Sequence, residues 1–265
     1  MSAPRWIETG EGPRALVFLH GVSGGAAGAA GLLPAITPAG WRGLAWDMPG
    51  YGRSAPLPQV DFDALADALA ALLDAAGLAR AVLVGHSMGG MLALQMAARH
   101  PDRVAGLVLA CCTPAFGAQG AALQRDFLAR RIGPLDEGAS MRDLAIEVIP
   151  GMVGPAAEPL VVHEAVDLMA EIPPASYRAA VQALLHFDQR AALGRLHMPT
   201  LVLAGRHDTV SRPLVLQRMA ERIPGARFAE LDAGHLAPFE APEDFAREVH
   251  GFLEGFDHAP VTFLL

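Results

Sequence analysis

Three residues of this chain could do chemistry together although they lie far apart in sequence: Ser87 in GHSMG, Asp208 in AGRHD and His235 in AGHLA. A serine hydroxyl is a poor nucleophile at neutral pH. It needs a base, and the base needs an acid to orient it. An alcohol, an imidazole and a carboxylate are the parts of that device, and its chemistry is acyl transfer. Gly85-His86-Ser87-Met88-Gly89 has the G-x-S-x-G spacing of a sharp strand-to-helix turn. Such a turn strains the serine backbone, so its neighbours must lack bulky Cβ groups. Gly85 and Gly89 meet that need, and Gly90 lets the helix pack close.

Acyl transfer also needs donors for an oxyanion. A serine at a helix N-terminus stands beside free N–H groups. VFLHGVSGG at 17–25 offers a second source, and the backbone N–H groups of Val22 and Met88 are the expected oxyanion hole. A plainer reading of 20–25 is a Gly-rich loop crossing the sheet; a dinucleotide site is a rival, but G-x-G-x-x-G is absent. Asp208 has a plain reading too, as the cap of a helix beginning near 213. Asp232 is the second-choice acid, and His207 reads as a surface loop residue.

These positions need a scaffold that brings strand ends together. Short apolar runs at 15–20, 44–47, 81–84, 104–111, 200–204 and 227–231 alternate with helical patterns, the signature of parallel strands joined by crossover helices. Phe62, Leu65, Leu69, Leu72 and Leu73 recur at helical spacing, with Asp61 or Asp63 to cap the start and Gly77 to close the end. Further helices are expected over 91–100, 213–223 and 242–253. The alternation stops between about 113 and 195, where four helical patterns, 121–132, 141–149, 160–170 and 175–187, follow one another without strands. The expected organisation is an α/β core over 1–112 and 196–256, a helical cap insertion over 113–195, and a tail over 257–265.

Composition excludes several function classes. The formal net charge is −8, far from the basic footprint of a nucleic-acid binder. All 20 cationic side chains are arginine, so neither a P-loop lysine nor a lysine Schiff base is possible. The adjacent Cys111 and Cys112 can neither staple distant segments nor supply spaced zinc ligands, so no metal is expected and a reducing cytoplasmic location is. The apolar stretch 15–33 is too rich in Gly and Ala for a membrane span and starts late for a signal peptide, so no membrane partner is expected.

Taken together, these residues resemble the α/β-hydrolase superfamily over nearly all of 15–253. The elbow GHSMG, the HG loop at His20-Gly21, the turn WDMPGYGRS at 46–54, the acid segment LVLAGRHD and the late Gly234-His235 each match a family segment, and the order Ser, Asp, His is the family's. GHSMGGMLAL with IPGARFAELDAGHLAPFEAPEDF is most similar to 3-oxoadipate enol-lactonases and related carboxylesterases. The resemblance implies the α/β-hydrolase fold: a mostly parallel, doubly wound sheet with an inserted helical cap. It implies a cofactor-free hydrolase whose partner is a small ester or lactone, with Ser87, Asp208 and His235 as its catalytic residues. C–C hydrolases of meta-cleavage products and cofactor-free haloperoxidases share much of the pattern, and a ligand-binding receptor on the same fold is the non-enzymatic alternative. Phe116, Met152, His186 and Phe187 are the cap residues expected to touch substrate, with membership of the cap's own core as their plainer reading.

Overall fold

The computed structural model describes residues 4–116 and 120–256. Seven strands form one sheet: β1 (Arg5–Thr9), β2 (Arg14–Leu19), β3 (Trp41–Asp47), β4 (Ala81–His86), β5 (Val104–Ala110), β6 (Thr200–Gly205) and β7 (Arg227–Leu231). Their spatial order is β1-β3-β2-β4-β5-β6-β7. Among the described residues only β1 runs antiparallel, pairing Arg5 with Asp47 through to Thr9 with Gly43. The six expected strands are present to within a few residues, whereas β1 was not expected: its five residues are at most half-buried, so no apolar run announces it.

Alternation along each strand explains the two-layer wrapping. Val17, Leu19, Leu83, Leu107, Leu109 and Val202 face one core, while Leu16, Phe18, Val82, Val84, Val108 and Leu201 face the other. A strand buried on both faces reads as a continuous apolar run, which is why period 2 is invisible in the sequence here. The helix α1 (Leu32–Ile36) covers one face together with the C-terminal helix described below. On the opposite face α2 (Phe62–Ala75) packs on α3 (Met88–Arg99). The Asp61 carboxylate accepts the N–H of Ala64 at 2.8 Å and caps α2, and Gly77 adopts φ +69° beyond its end.

Between β5 and β6 the chain forms α4 (Ala121–Arg131), α5 (Gly133–Asp136), α6 (Met141–Val148), α7 (Pro159–Ala170) and α8 (Pro174–Leu184). The two ends of this helical segment meet in a narrow neck. Ala115 bridges Asp188, Phe116 N–H donates to the Phe187 carbonyl at 3.0 Å, and Gln189 N–H donates to that of Pro114 at 2.7 Å. After the neck come α9 (Pro213–Arg222), α10 (Ala237–Glu240) and α11 (Pro242–Leu253), with α11 burying Phe245, Val249 and Phe252 beside α1. No helix among the described residues is long and apolar enough to cross a membrane. The tail expected over 257–265 lies outside the described residues.

Candidate active site

Parallel strands end on the same edge, so the loops after β2, β4, β6 and β7 gather there. Ser87 follows β4 directly, with φ +53°, a left-handed value that is costly for any residue with a Cβ. The surrounding glycines leave no alternative packing. A Cβ at Gly85 would lie 2.4 Å from the Gly89 carbonyl oxygen, and one at Gly89 would lie 2.0 Å from that of Leu19. Ser87 N–H donates to the Ala110 carbonyl at 2.9 Å, which ties the turn to β5. The helix α3 starts at Met88, three residues earlier than its apolar period suggests, and puts the Met88 N–H at its unpaired end.

His235 bridges the serine and the acid. Its Nε2 lies 2.9 Å from Ser87 Oγ and its Nδ1 lies 2.8 Å from Asp208 Oδ2. The second Asp208 oxygen accepts the N–H groups of Val210 at 2.7 Å and Ser211 at 2.8 Å, so the carboxylate is held on both sides. Asp208 and His235 are buried, and Ser87 is half-buried. Asp232 lies elsewhere: its carboxylate meets His207 Nε2 at 2.9 Å on the exposed surface. The three residues singled out for acyl transfer therefore come together, and the second-choice acid does not join them.

The loop after β2 abuts the serine, since a Cβ on Gly21 would lie 3.1 Å from Ser87 Cβ. The Gly21 carbonyl accepts from His20 Nδ1 at 2.8 Å and from Gly24 N–H at 3.0 Å. Because the peptide is planar and trans, anchoring that oxygen turns the Val22 N–H of the same peptide the opposite way. His20 Nε2 accepts Met48 N–H at 3.2 Å, so the ring is neutral with its proton on Nδ1. Burial lowers its pKa to about 4. The Tyr51 ring packs at a tilt against His20 and its hydroxyl donates to the Val22 carbonyl at 3.0 Å.

Two positioning residues escaped the sequence reading. His86 Nε2 donates to the His235 carbonyl at 2.7 Å; burial, and then the neighbouring His235, lower the His86 pKa to about 3. Glu240 accepts three backbone N–H groups: Gly154 at 2.7 Å, Gly234 at 2.9 Å and Leu236 at 3.0 Å. One carboxylate thus joins the helical segment to both sides of His235, and His235 N–H itself donates to the Met152 carbonyl at 2.7 Å. The signal for Glu240 was faint: an acid five residues after a strand-end histidine.

A cavity of about 930 Å³ opens over Ser87 and His235, walled by the β2 loop and the helical segment. Phe116 and Met152 line it, as does Val22. His186 and Phe187 do not, which corrects the expectation for them. They line a separate depression of about 600 Å³ with Gln95 and Gln189. Phe187 is there because its ring packs against Phe62 at 4.4 Å between centroids, on the side of α8 turned away from Ser87. Among the described residues no group of three or more His, Cys, Asp or Glu could hold a metal ion.

Comparison with known proteins adds a lineage to this geometry. A pimeloyl-[acyl-carrier protein] methyl ester esterase from Chromobacterium violaceum is 33% identical over 216 residues, 78% of this chain and 82% of its own. The crystal structure of the enol-lactonase from Burkholderia xenovorans superposes with a TM-score of 0.86 at 27% identity, covering 95% of this chain and 96% of that one. A thermophilic esterase from Thermogutta terrifontis gives 0.82 at 28% identity, covering 95% and 93%. The family model described as the alpha/beta hydrolase fold matches residues 14–242, and the chain belongs to that family.

Proposed function

We propose that the chain is a serine hydrolase that opens a small carboxylic ester or lactone through an acyl-enzyme. The observation that carries this reading is the unbroken relay from Ser87 Oγ through His235 to Asp208, at 2.9 Å and 2.8 Å, beneath a cavity that reaches the serine. His235 Nε2 takes the hydroxyl proton as Ser87 Oγ attacks the carbonyl carbon, and Asp208 stabilises the imidazolium that forms. The Val22 and Met88 N–H groups receive the oxyanion, each such donor being worth roughly 3 kcal/mol in transition-state stabilisation. His235 then passes its proton to the leaving oxygen. Water, deprotonated by the same ring, releases the acid. The helical segment over 113–195 acts as the roof that selects substrate and limits water.

The esterase and lactonase relatives support ester chemistry without naming the substrate. A fluorophosphonate probe offered to the purified protein should label Ser87, and Ser87→Ala should abolish both labelling and the hydrolysis of short p-nitrophenyl esters. An unlabelled wild-type protein that cleaves no such ester would leave a binding protein on a hydrolase fold as the better reading.

A further inference from the structure

The turn WDMPGYGRS at 46–54 takes no part in proton transfer, yet it holds the loop after β2 at three points. Met48 N–H donates to His20 Nε2 at 3.2 Å, Asp47 Oδ1 accepts the Ala26 N–H at 2.9 Å, and the Tyr51 hydroxyl donates to the Val22 carbonyl at 3.0 Å. The turn is itself stiff. Tyr51 N–H donates to the Met48 carbonyl and Ser54 N–H to that of Tyr51, both at 2.9 Å. Gly52 adopts φ +50° so close to Asp47 that a Cβ would lie 2.2 Å from its carboxylate. Tyr51 is 3% exposed, and burial raises its pKa, so the hydroxyl keeps the proton it donates.

The Tyr51 contact falls at a sensitive place. Gly24 N–H donates to the Gly21 carbonyl at 3.0 Å, so residues 21–24 form a β-turn whose central peptide joins Val22 to Ser23. That peptide can rotate by about 180° while the bond across the turn survives, which is the difference between turn types I and II. Among the described residues no backbone N–H donates to the Val22 carbonyl, so the loop supplies no hydrogen bond against the flip. Ser23 resists it in another way. The flipped turn demands a positive φ at its third residue, which is costly with a Cβ, and Ser23 has none here. Val22 lines the Ser87 cavity and Tyr51 does not, so their bond aims the Val22 oxygen away from the reacting centre. A flip reverses that oxygen, and an acceptor facing the cavity would repel a developing anion.

We propose that Tyr51 is a positioning residue for the oxyanion hole: its hydroxyl locks the 21–24 turn so that the anion meets N–H groups and not the Val22 oxygen. The catalytic consequence rests on the serine-hydrolase reading; the anchoring of the turn does not. Tyr51→Phe keeps the ring against His20 and removes the hydroxyl. It should lower kcat on p-nitrophenyl acetate about tenfold, with KM changed less than about twofold. Binding of a trifluoromethyl ketone should weaken by the same factor. In that adduct Ser87 Oγ adds to the carbonyl carbon, His235 takes the hydroxyl proton and the ketone oxygen becomes the anion. Ser23→Gly removes the other restraint, so the double variant should lose more than the product of the two single losses. Amide exchange at Gly24 should quicken in Tyr51→Phe whether or not the protein turns over. Wild-type kcat and ketone affinity in Tyr51→Phe, a loss confined to KM, or unchanged exchange at Gly24 would overturn the proposal and leave the hydrolase standing. A wild-type protein that neither cleaves the ester nor takes a fluorophosphonate would sink the hydrolase. Faster exchange at Gly24 would then leave the anchoring in place, and unchanged exchange would remove that too.

Discussion

The C-terminal edge of the sheet and the helical segment above it differ in how much change each can absorb. At the sheet edge, Cβ atoms on Gly85, Gly89, Gly205 and Gly234 would all meet backbone atoms at 2.4 Å or less, and backbone cannot step aside. In the helical segment Gly133, Gly138 and Gly151 face open space. The polar groups follow the same division. At the edge Asp208, His20, His86 and Glu240 are engaged through two or more contacts or through a single short bond to the His235 backbone, while in α4 no described side chain is buried. The lesson is a separation of duties. Reacting atoms are placed by a frame with no slack, and the residues over them sit on elements that can vary without disturbing it.

The sharpest break between tight and loose positions compares two acids. Asp208→Asn should lower kcat by about 10⁴-fold, because an amide oxygen and nitrogen no longer hold the His235 tautomer, while the exposed Asp232→Asn should change it less than about twofold. Steady-state kinetics on a p-nitrophenyl ester would decide; equal losses would mean that the acid has been misassigned. Next comes packing. Gly89→Ala should cost about 3 kcal/mol or prevent folding, as urea unfolding would register.

Glu240 links the two regions, so removing it should loosen both. Glu240→Ala is expected to reduce kcat by about a hundredfold with a smaller change in KM, since His235 is misplaced rather than absent. Faster amide exchange at Gly154, Gly234 and Leu236 would mark the positioning role, and Glu240→Gln, which keeps one acceptor, should recover part of the rate. A kcat loss without any change in exchange would point to a different role.

Acid should weaken the edge selectively. His20 and His86 have native pKa values of about 4 and about 3, below the ordinary value near 6.5. Between those limits the unfolded chain binds protons that the native chain refuses, so stability present above pH 6.5 is lost as pH falls towards 4 and 3. At pH 5 the loss for His86 alone is on the order of 2 kcal/mol. His86→Gln keeps an N–H donor for the His235 carbonyl without titrating, and should flatten the acid limb of Tm against pH; an unchanged limb would place the titration elsewhere. The smallest effect belongs to the loose region, where Gly133→Ala should raise stability by about 0.5 kcal/mol through the unfolded state.

Much of this was legible in the sequence because it is local. The strand β7 and the helix α11 begin and end where their apolar patterns and flanking residues say, and the elbow is spelled by glycine spacing alone. The edge strand β1 was not legible, because its partner β3 lies more than thirty residues away and supplies the pairing that its own residues do not advertise. His186 and Phe187 were assigned to the wrong cavity for a related reason. Both close the helical pattern expected over 175–187, but α8 ends at Leu184, and periodicity gives a residue's face and not what that face meets.

By itself, then, the sequence determined the residue types, the strained turn at Ser87 and the order of strands and helices along the chain, since each depends on neighbours a few positions away. Tertiary structure alone decided that Asp208 and not Asp232 meets His235, and that Glu240 grips three distant N–H groups. Those choices turn on distances between segments far apart in the chain, and a hydrogen bond tolerates only a few tenths of an ångström of misplacement.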